Sequence, residues 1–158
     1  MPRKNKKLPR HLLVIRTSAM GDVAMLPHAL RALKEAYPEV KVTVATKSLF
    51  HPFFEGLDVG FLDIETRRTH RGIRGAIRFA REAAELKIDA VADMHNVLRS
   101  KMVRAALHLR GIPVSVIHKG RIEKYMRLGR GSEGVKPLKH TVIRYCDVFR
   151  RLGVDLPP

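Results

Sequence analysis

The stretch LLVIRTSAMGDVAMLPHALRALKEAYPEVKVTVAT, residues 12–46, decides the fold class. It opens on LLVIRT (12–17), a continuous apolar run of the kind that is buried on both faces of a parallel sheet. Val23, Leu26, Leu30, Leu33 and Tyr37 then recur at three- and four-residue spacing, which predicts an amphipathic helix. Pro38 ends it. VKVTVAT (40–46) is a second strand.

The same alternation continues outward. A short helix is expected around 48–56, with Ser48 in position to cap it, and VGFLDI (59–64) is a third strand. TRRTHRGIRG (66–75) has no apolar face and reads as an exposed loop. A helix over 73–86 sets Ile73, Ile77, Ala80 and Ala84 on one side. IDAVADM (88–94) is a fourth strand, 98–109 a helix and IPVSVI (112–117) a fifth strand. A short helix over 121–129 and a Gly/Pro loop over 129–138 lead to a last helix over 139–152, with Val142, Tyr145, Phe149 and Leu152 inward. Strand and helix in alternation imply an α/β fold with a mainly parallel sheet, right-handed crossovers and helices on both faces. Residues 1–10 are a basic, proline-containing tail.

Composition narrows the function. The 158 residues suit one domain, and 45% hydrophobic content argues against general disorder. A domain of this length buries roughly 70% of its unfolded surface. No apolar run approaches the ~20 residues of a membrane span. The opening MPRKNKKLPRHLLVIR is basic but lacks the apolar core and cleavage site of a secretory signal. The single cysteine, Cys146, makes no internal disulfide, excludes a cysteine-rich zinc site and reads as small core filler. Trp is absent and aromatics are 6%, so no stacking platform for single-stranded nucleic acid is evident. With 31 Lys+Arg against 15 Asp+Glu, the net charge of +16 calls for an anionic partner: phosphorylated lipid, nucleic acid or a phosphate-bearing small molecule.

In a parallel sheet, ligands sit beyond the carboxyl ends of the strands. Three segments fall there. In the first, RTSAMGDV (16–23), Gly21 permits a tight turn or close backbone approach. Asp22 has two readings: an N-cap of the helix, or a general base at the head of a cleft. The second, around Arg67, Arg68, His70, Arg71 and Arg74, is either a phosphate or carboxylate clamp or a solvated basic loop. In the third, DMHNVLRSK (93–101), Asp93, His95, Asn96, Arg99, Ser100 and Lys101 lie where a helix opens. Helix N-termini attract anions, while a hydrogen-bonded structural histidine is the alternative for His95. The nearby Lys101, Arg104 and Arg110 are either part of that anion site or a solvated helix face. A further basic stretch, HKGRIEKYMRLGR (118–130), suits anionic headgroups, nucleic acid backbone or plain solvation. His28, His51 and His108 lack metal-ligand spacing and read as surface or cap residues. The chain holds no GxGxxG, no GxxxxGK[ST] and no Asp-x-Asp pair, so the sequence offers no dinucleotide fingerprint, P-loop or metal-holding carboxylate pair.

Residues 14–46, with Arg-x-Ser-x-x-Gly-Asp between an apolar strand and a Pro-containing helix, resemble the opening of the lipopolysaccharide heptosyltransferases, glycosyltransferase family 9. IDAVADMHNVLRSKMV is similar to a second family segment, and IHKGRIEKYMRL and LKHTVIRYCDVFRRLGV to later ones. The resemblance runs from about residue 11 to 154. It implies a Rossmann-like acceptor-binding domain over 11–154, the N-terminal half of a GT-B enzyme. An interdomain linker would begin at 155–158. It further implies transfer of a sugar from a nucleotide sugar such as ADP-heptose to a lipopolysaccharide-core acceptor, with inversion and without a metal or other cofactor.

By the same resemblance, Asp22 is the general base. Arg67, Arg68, Arg71 and Arg74 lie in the loop that, by the resemblance, would hold a phosphorylated glycolipid or carbohydrate acceptor, and the strand-end residues Ser18, Gly21, His95, Asn96 and Arg99 are expected to complete that site. The family is about twice this length, so a fragment, an isolated domain, a shortened reading frame or half of a split enzyme is expected, inactive by itself. The expected location is cytoplasmic, with salt-sensitive peripheral contact at the inner face of the membrane. The alternatives of another class are a basic nucleic-acid-binding module, which accounts for the charge but lacks any recognised motif, and a non-catalytic anion-binding α/β module.

Overall fold

The computed structural model describes residues 7–65, 69–118 and 139–156. Arg67, Arg68, the expected helix over 121–129, the loop over 129–138, the basic stretch beyond His118 and the outermost parts of both termini lie outside the described residues.

The elements follow in the order β1 (His11–Ile15), α1 (Met20–Ala36), β2 (Lys41–Thr46), a 3-10 helix (Ser48–Phe54), β3 (Gly60–Asp63), α2 (Gly72–Glu85), β4 (Ala90–Asp93), α3 (Leu98–His108), β5 (Val114–Val116) and α4 (Thr141–Arg150). The five strands form one sheet in the order β3-β2-β1-β4-β5, every pair parallel. This is the expected Rossmann-like α/β architecture.

Alternation along the central strands feeds two cores. Leu12, Val14, Val42, Val44, Ala90 and Ala92 face one layer, where α1 contributes Leu26, Leu30 and Leu33 and α4 contributes Tyr145, Val148 and Phe149. Leu13, Ile15, Ala45 and Val91 face the other, where α2 contributes Phe79, Ala80 and Ala83 and α3 contributes Val103 and Leu107. Every residue of β1 and β4 is buried, which is why residues 12–15 and 90–92 are apolar at every position. Cys146 is core filler as expected. Tyr145, Phe149 and Leu152 point inward, and Val142 packs at the margin.

The structure corrects several expectations. Residue 47, not Ser48, caps the 3-10 helix, and no side chain supplies a hydrogen bond there. The exposed loop expected over 66–75 is shorter, because α2 begins at Gly72. His70 within it is 5% exposed: its Nε2 meets Glu82 Oε2 at 2.9 Å, its Nδ1 accepts the Glu65 N–H at 3.1 Å, and its ring meets Phe79 edge-on. The buried side of α2 is Gly75, Ala76, Phe79, Ala80 and Ala83, so of the four residues assigned to one side only Ala80 is buried. The reason is a close approach. A Cβ at Gly75 would stand 2.1 Å from the His70 carbonyl carbon, so a residue without one sits against the preceding turn, and the side that carries Gly75, Ala76, Phe79 and Ala83 faces inward while Ile73 and Ile77 face out.

Candidate functional site

In this strand order β1 lies between β2 and β4, and the chain leaves the centre in opposite directions on either side of β1. The crevice at such a reversal is where open α/β sheets bind ligands. Register pairs Ile15 with Asp93, so the segment after β1 and the segment after β4 emerge side by side.

Three side chains stitch these segments together. The Arg16 guanidinium is buried at 6% exposure; it donates to the Met94 carbonyl and pairs with the Asp22 carboxylate. Its Nε has no partner among the described residues. The His95 ring bridges both hydroxyls of the β1 segment, with Nδ1 2.8 Å from Thr17 Oγ1 and Nε2 3.0 Å from Ser18 Oγ. In a neutral imidazole one of these nitrogens donates and the other accepts, and a hydroxyl can answer either role.

Asp22 occupies the first turn of α1 and is not its cap. Ala19 holds the cap position and gives no side-chain hydrogen bond. The carboxylate side chain is 43% exposed, with Oδ2 on Arg16 and Oδ1 accepting no hydrogen bond among the described residues. Helix dipole and free N–H groups favour negative charge at this position. The Asp22 backbone carbonyl accepts the Tyr145 hydroxyl at 2.9 Å. Burial pushes the Tyr145 phenol up to about 12, with the Asp22 charge adding and the Arg16 charge opposing, so it stays a donor. Gly21 lies one position before Asp22, on helical backbone with nothing within 4 Å of a would-be Cβ. No tight turn needs it, and it leaves the head of α1 open.

The third segment divides. Asp93 is fully buried and organises the turn: Oδ1 accepts the His95 N–H at 2.9 Å and the Asn96 N–H at 2.8 Å, and Oδ2 accepts from Arg104 at 3.2 Å. Asn96 sits at φ 48 and donates to the Ile117 carbonyl at 3.2 Å. Asn96 and Arg104 therefore build the loop that presents His95. Ser100 is buried and exchanges hydrogen bonds with Val97 at the start of α3. Arg99 is half-buried on the first turn of α3. Arg71 and Arg74 are exposed at the start of α2 and make no hydrogen bond or ion pair to the Arg16–Asp22–His95 group among the described residues. His51 pairs with Asp63 at 2.7 Å and stacks on Phe61, while His28 and His108 are exposed.

The fold thus gathers Asp22, Ser18 and His95, and adds Arg16, Thr17 and Tyr145. Arg16 could have been singled out as a charged residue ending an apolar strand. Thr17 and Tyr145 carried no such signal.

No protein-family model matches the sequence, and no curated protein matches it. Solved structures do match in fold. A family 9 glycosyltransferase from Veillonella parvula superposes with a TM-score of 0.66 at 17% identity, over 92% of this chain and 42% of that one. The E. coli heptosyltransferase WaaC, solved with ADP, gives 0.63 at 24% identity over 93% and 48%. The E. coli ADP-heptose heptosyltransferase II gives 0.59 at 21% identity over 88% and 40%. The likeness is one of fold, and the chain spans less than half the length of each of these three structures.

Proposed function

We propose that this chain is the acceptor-binding part of a glycosyltransferase of heptosyltransferase type with GT-B organisation. The observation that carries the reading is Asp22: a half-exposed carboxylate at the head of α1, on the crevice between β1 and β4, oriented by a buried arginine. A carboxylate with one oxygen engaged and the other open suits a general base.

In the proposed reaction, Asp22 takes the proton of an acceptor hydroxyl as its oxygen bonds to the anomeric carbon of the sugar. The bond from that carbon to the nucleotide diphosphate breaks on the opposite face, so the configuration inverts. Ser18 and His95, both half-buried, stand at the approach of the carbohydrate, and the buried Thr17 holds the His95 ring in place. Arg67, Arg68, Arg71, Arg74 and Arg99 supply positive charge for a phosphorylated acceptor. The donor, ADP-heptose or a similar nucleotide sugar, is assigned to a further domain, and the location to the cytoplasmic face of the membrane. A nucleic-acid-binding or non-catalytic anion-binding module is the competing reading, favoured by the +16 charge.

The test titrates the chain with a phosphorylated inner-core lipopolysaccharide acceptor and with duplex DNA, at low and near-physiological salt. Saturable acceptor binding that survives salt, and weakens when Arg67, Arg68, Arg71 and Arg74 are neutralised, supports the proposal. DNA binding that wins at physiological salt, with no saturable acceptor site, overturns it.

A further inference from the structure

We infer that the outer face of α2 is a docking surface for an anionic lipid bilayer. The inference rests on the membrane location in the reading above and not on its transfer chemistry.

The inner side of α2 is committed to the core through Gly75, Ala76, Phe79, Ala80 and Ala83. Its outer side carries Ile73 and Ile77, 68% and 51% exposed. They are one helical turn apart and share a face. Arg74, Arg78 and Arg81 lie along one side of them on the helix, opposite the buried Ala76 and Ala80, and Arg71 stands at its cap; all four arginines are exposed. No acidic residue interrupts 71–81; beyond it, Glu82 is turned to His70 and Arg78, and Glu85 is exposed at the last residue of the helix. Among the described residues, Arg71, Arg74 and Arg81 enter no ion pair.

Two exposed isoleucines beside a row of arginines ask for a partner with two layers. Duplex nucleic acid answers the arginines but offers the isoleucines no apolar layer. An anionic bilayer has phosphates at headgroup depth, within reach of long arginine side chains, and acyl carbon just beneath for the isoleucines. Leu98, 74% exposed, opens α3, which packs beside α2 and starts at the same end of the sheet.

The experiment sediments the full chain with vesicles of phosphatidylcholine alone and with about one-third phosphatidylglycerol. Binding is expected only to the anionic vesicles. The double variant Ile73→Ser/Ile77→Ser is expected to bind them at least ~tenfold more weakly, and Arg78→Gln/Arg81→Gln likewise. The isoleucines separate docking from general charge attraction, including that of the basic tail. An unchanged urea midpoint shows that the variants fold. Undiminished binding by the isoleucine variant overturns the inference, as does equal binding to neutral vesicles. Self-association that the isoleucine variant abolishes while vesicle binding persists overturns it as well. A delipidated, phosphorylated inner-core oligosaccharide separates the two readings. The isoleucine variant should retain any affinity for it, and failure of the parent chain to bind it counts against the proposed function while leaving vesicle docking intact.

Discussion

The Tyr145 hydroxyl, buried in α4, donates a 2.9 Å hydrogen bond to the backbone carbonyl of Asp22, 123 residues away in sequence. The last helix described therefore braces the first turn of α1, the turn that holds the carboxylate at the crevice. Tyr145 itself is fully buried in the core beneath α1. Tyr145→Phe keeps the ring and removes only the bond. It should lower unfolding free energy by about 1 kcal/mol, read from the urea midpoint. It should also lower transfer by the chain joined to a donor-binding half, because the brace sets the position of Asp22. A stability loss with unchanged transfer would confine Tyr145 to packing.

Asp22→Asn retains a side-chain oxygen for Arg16 and removes the proton-accepting charge. The pair is partly solvent-exposed on the Asp22 side, so the stability cost should be within about 1 kcal/mol. Joined to a donor-binding half, the variant should lose transfer by roughly 10²-fold or more while acceptor affinity holds. Equal losses of folding and binding would make Asp22 a structural partner of Arg16. ADP release from ADP-heptose, with acceptor present, is the assay, and the chain alone is expected to show little or none. Robust turnover by the chain alone would sink the assignment of the donor to another domain.

Gly75→Ala tests the contact that sets the face of α2. Its Cβ would meet His70 backbone atoms at 2.1, 2.5 and 2.6 Å, none of which can swing aside as a side chain does. The helix must shift, at a cost of about 1–3 kcal/mol. Ala84→Gly, on the same helix without that contact, controls for helix propensity, which alone costs about 1 kcal/mol in the opposite substitution sense.

Asp93→Ala should be among the most damaging single changes, by about 3 kcal/mol or more in urea unfolding. It strips the buried acceptor from the His95 and Asn96 amides and from Arg104. The His95 bridge to Thr17 and Ser18 should loosen with it, so acceptor binding should fall in the fraction that remains folded.

Burial holds the His11 imidazole below its ordinary value of 6.5. The Lys41 charge acts in the same direction, while the Leu86 carbonyl and the Asp89 charge oppose it. The folded state then binds fewer protons than the unfolded chain just below that value. Stability from this group is full above about pH 6.5 and is lost as pH falls through the lowered folded value. Urea midpoints at pH 7 and 5 should show the loss, and His11→Gln should make the dependence shallower. An unchanged slope would remove His11 as its source.

Several features were legible in the chain because they are local. Apolar runs such as 12–15 and 90–92 mark strands covered on both faces, and the spacing from Val23 to Tyr37 marks a helix with one wet side. Together they dictate an alternating, parallel architecture with Asp22 near the carboxyl end of its first strand. Other features depended on distances that no local pattern encodes. Whether Asp22 caps α1 turns on where the first helical residue falls, and a start at Met20 moves it from the cap into the first turn and onto Arg16. The spacing of Ile73 and Ile77 points to the wrong side of α2, because the close approach of Gly75 to the His70 backbone turns the side with Gly75, Ala76, Phe79 and Ala83 inward.

The sequence by itself determined the element types, their order and the parallel sheet, since hydrophobic period and chain punctuation act over a few residues. Only the tertiary structure decided which strand ends are neighbours. Pairing β1 with β4 is a choice made by the whole core and brings His95 to Thr17 and Ser18, while the packing of α4 on α1 sets Tyr145 against Asp22.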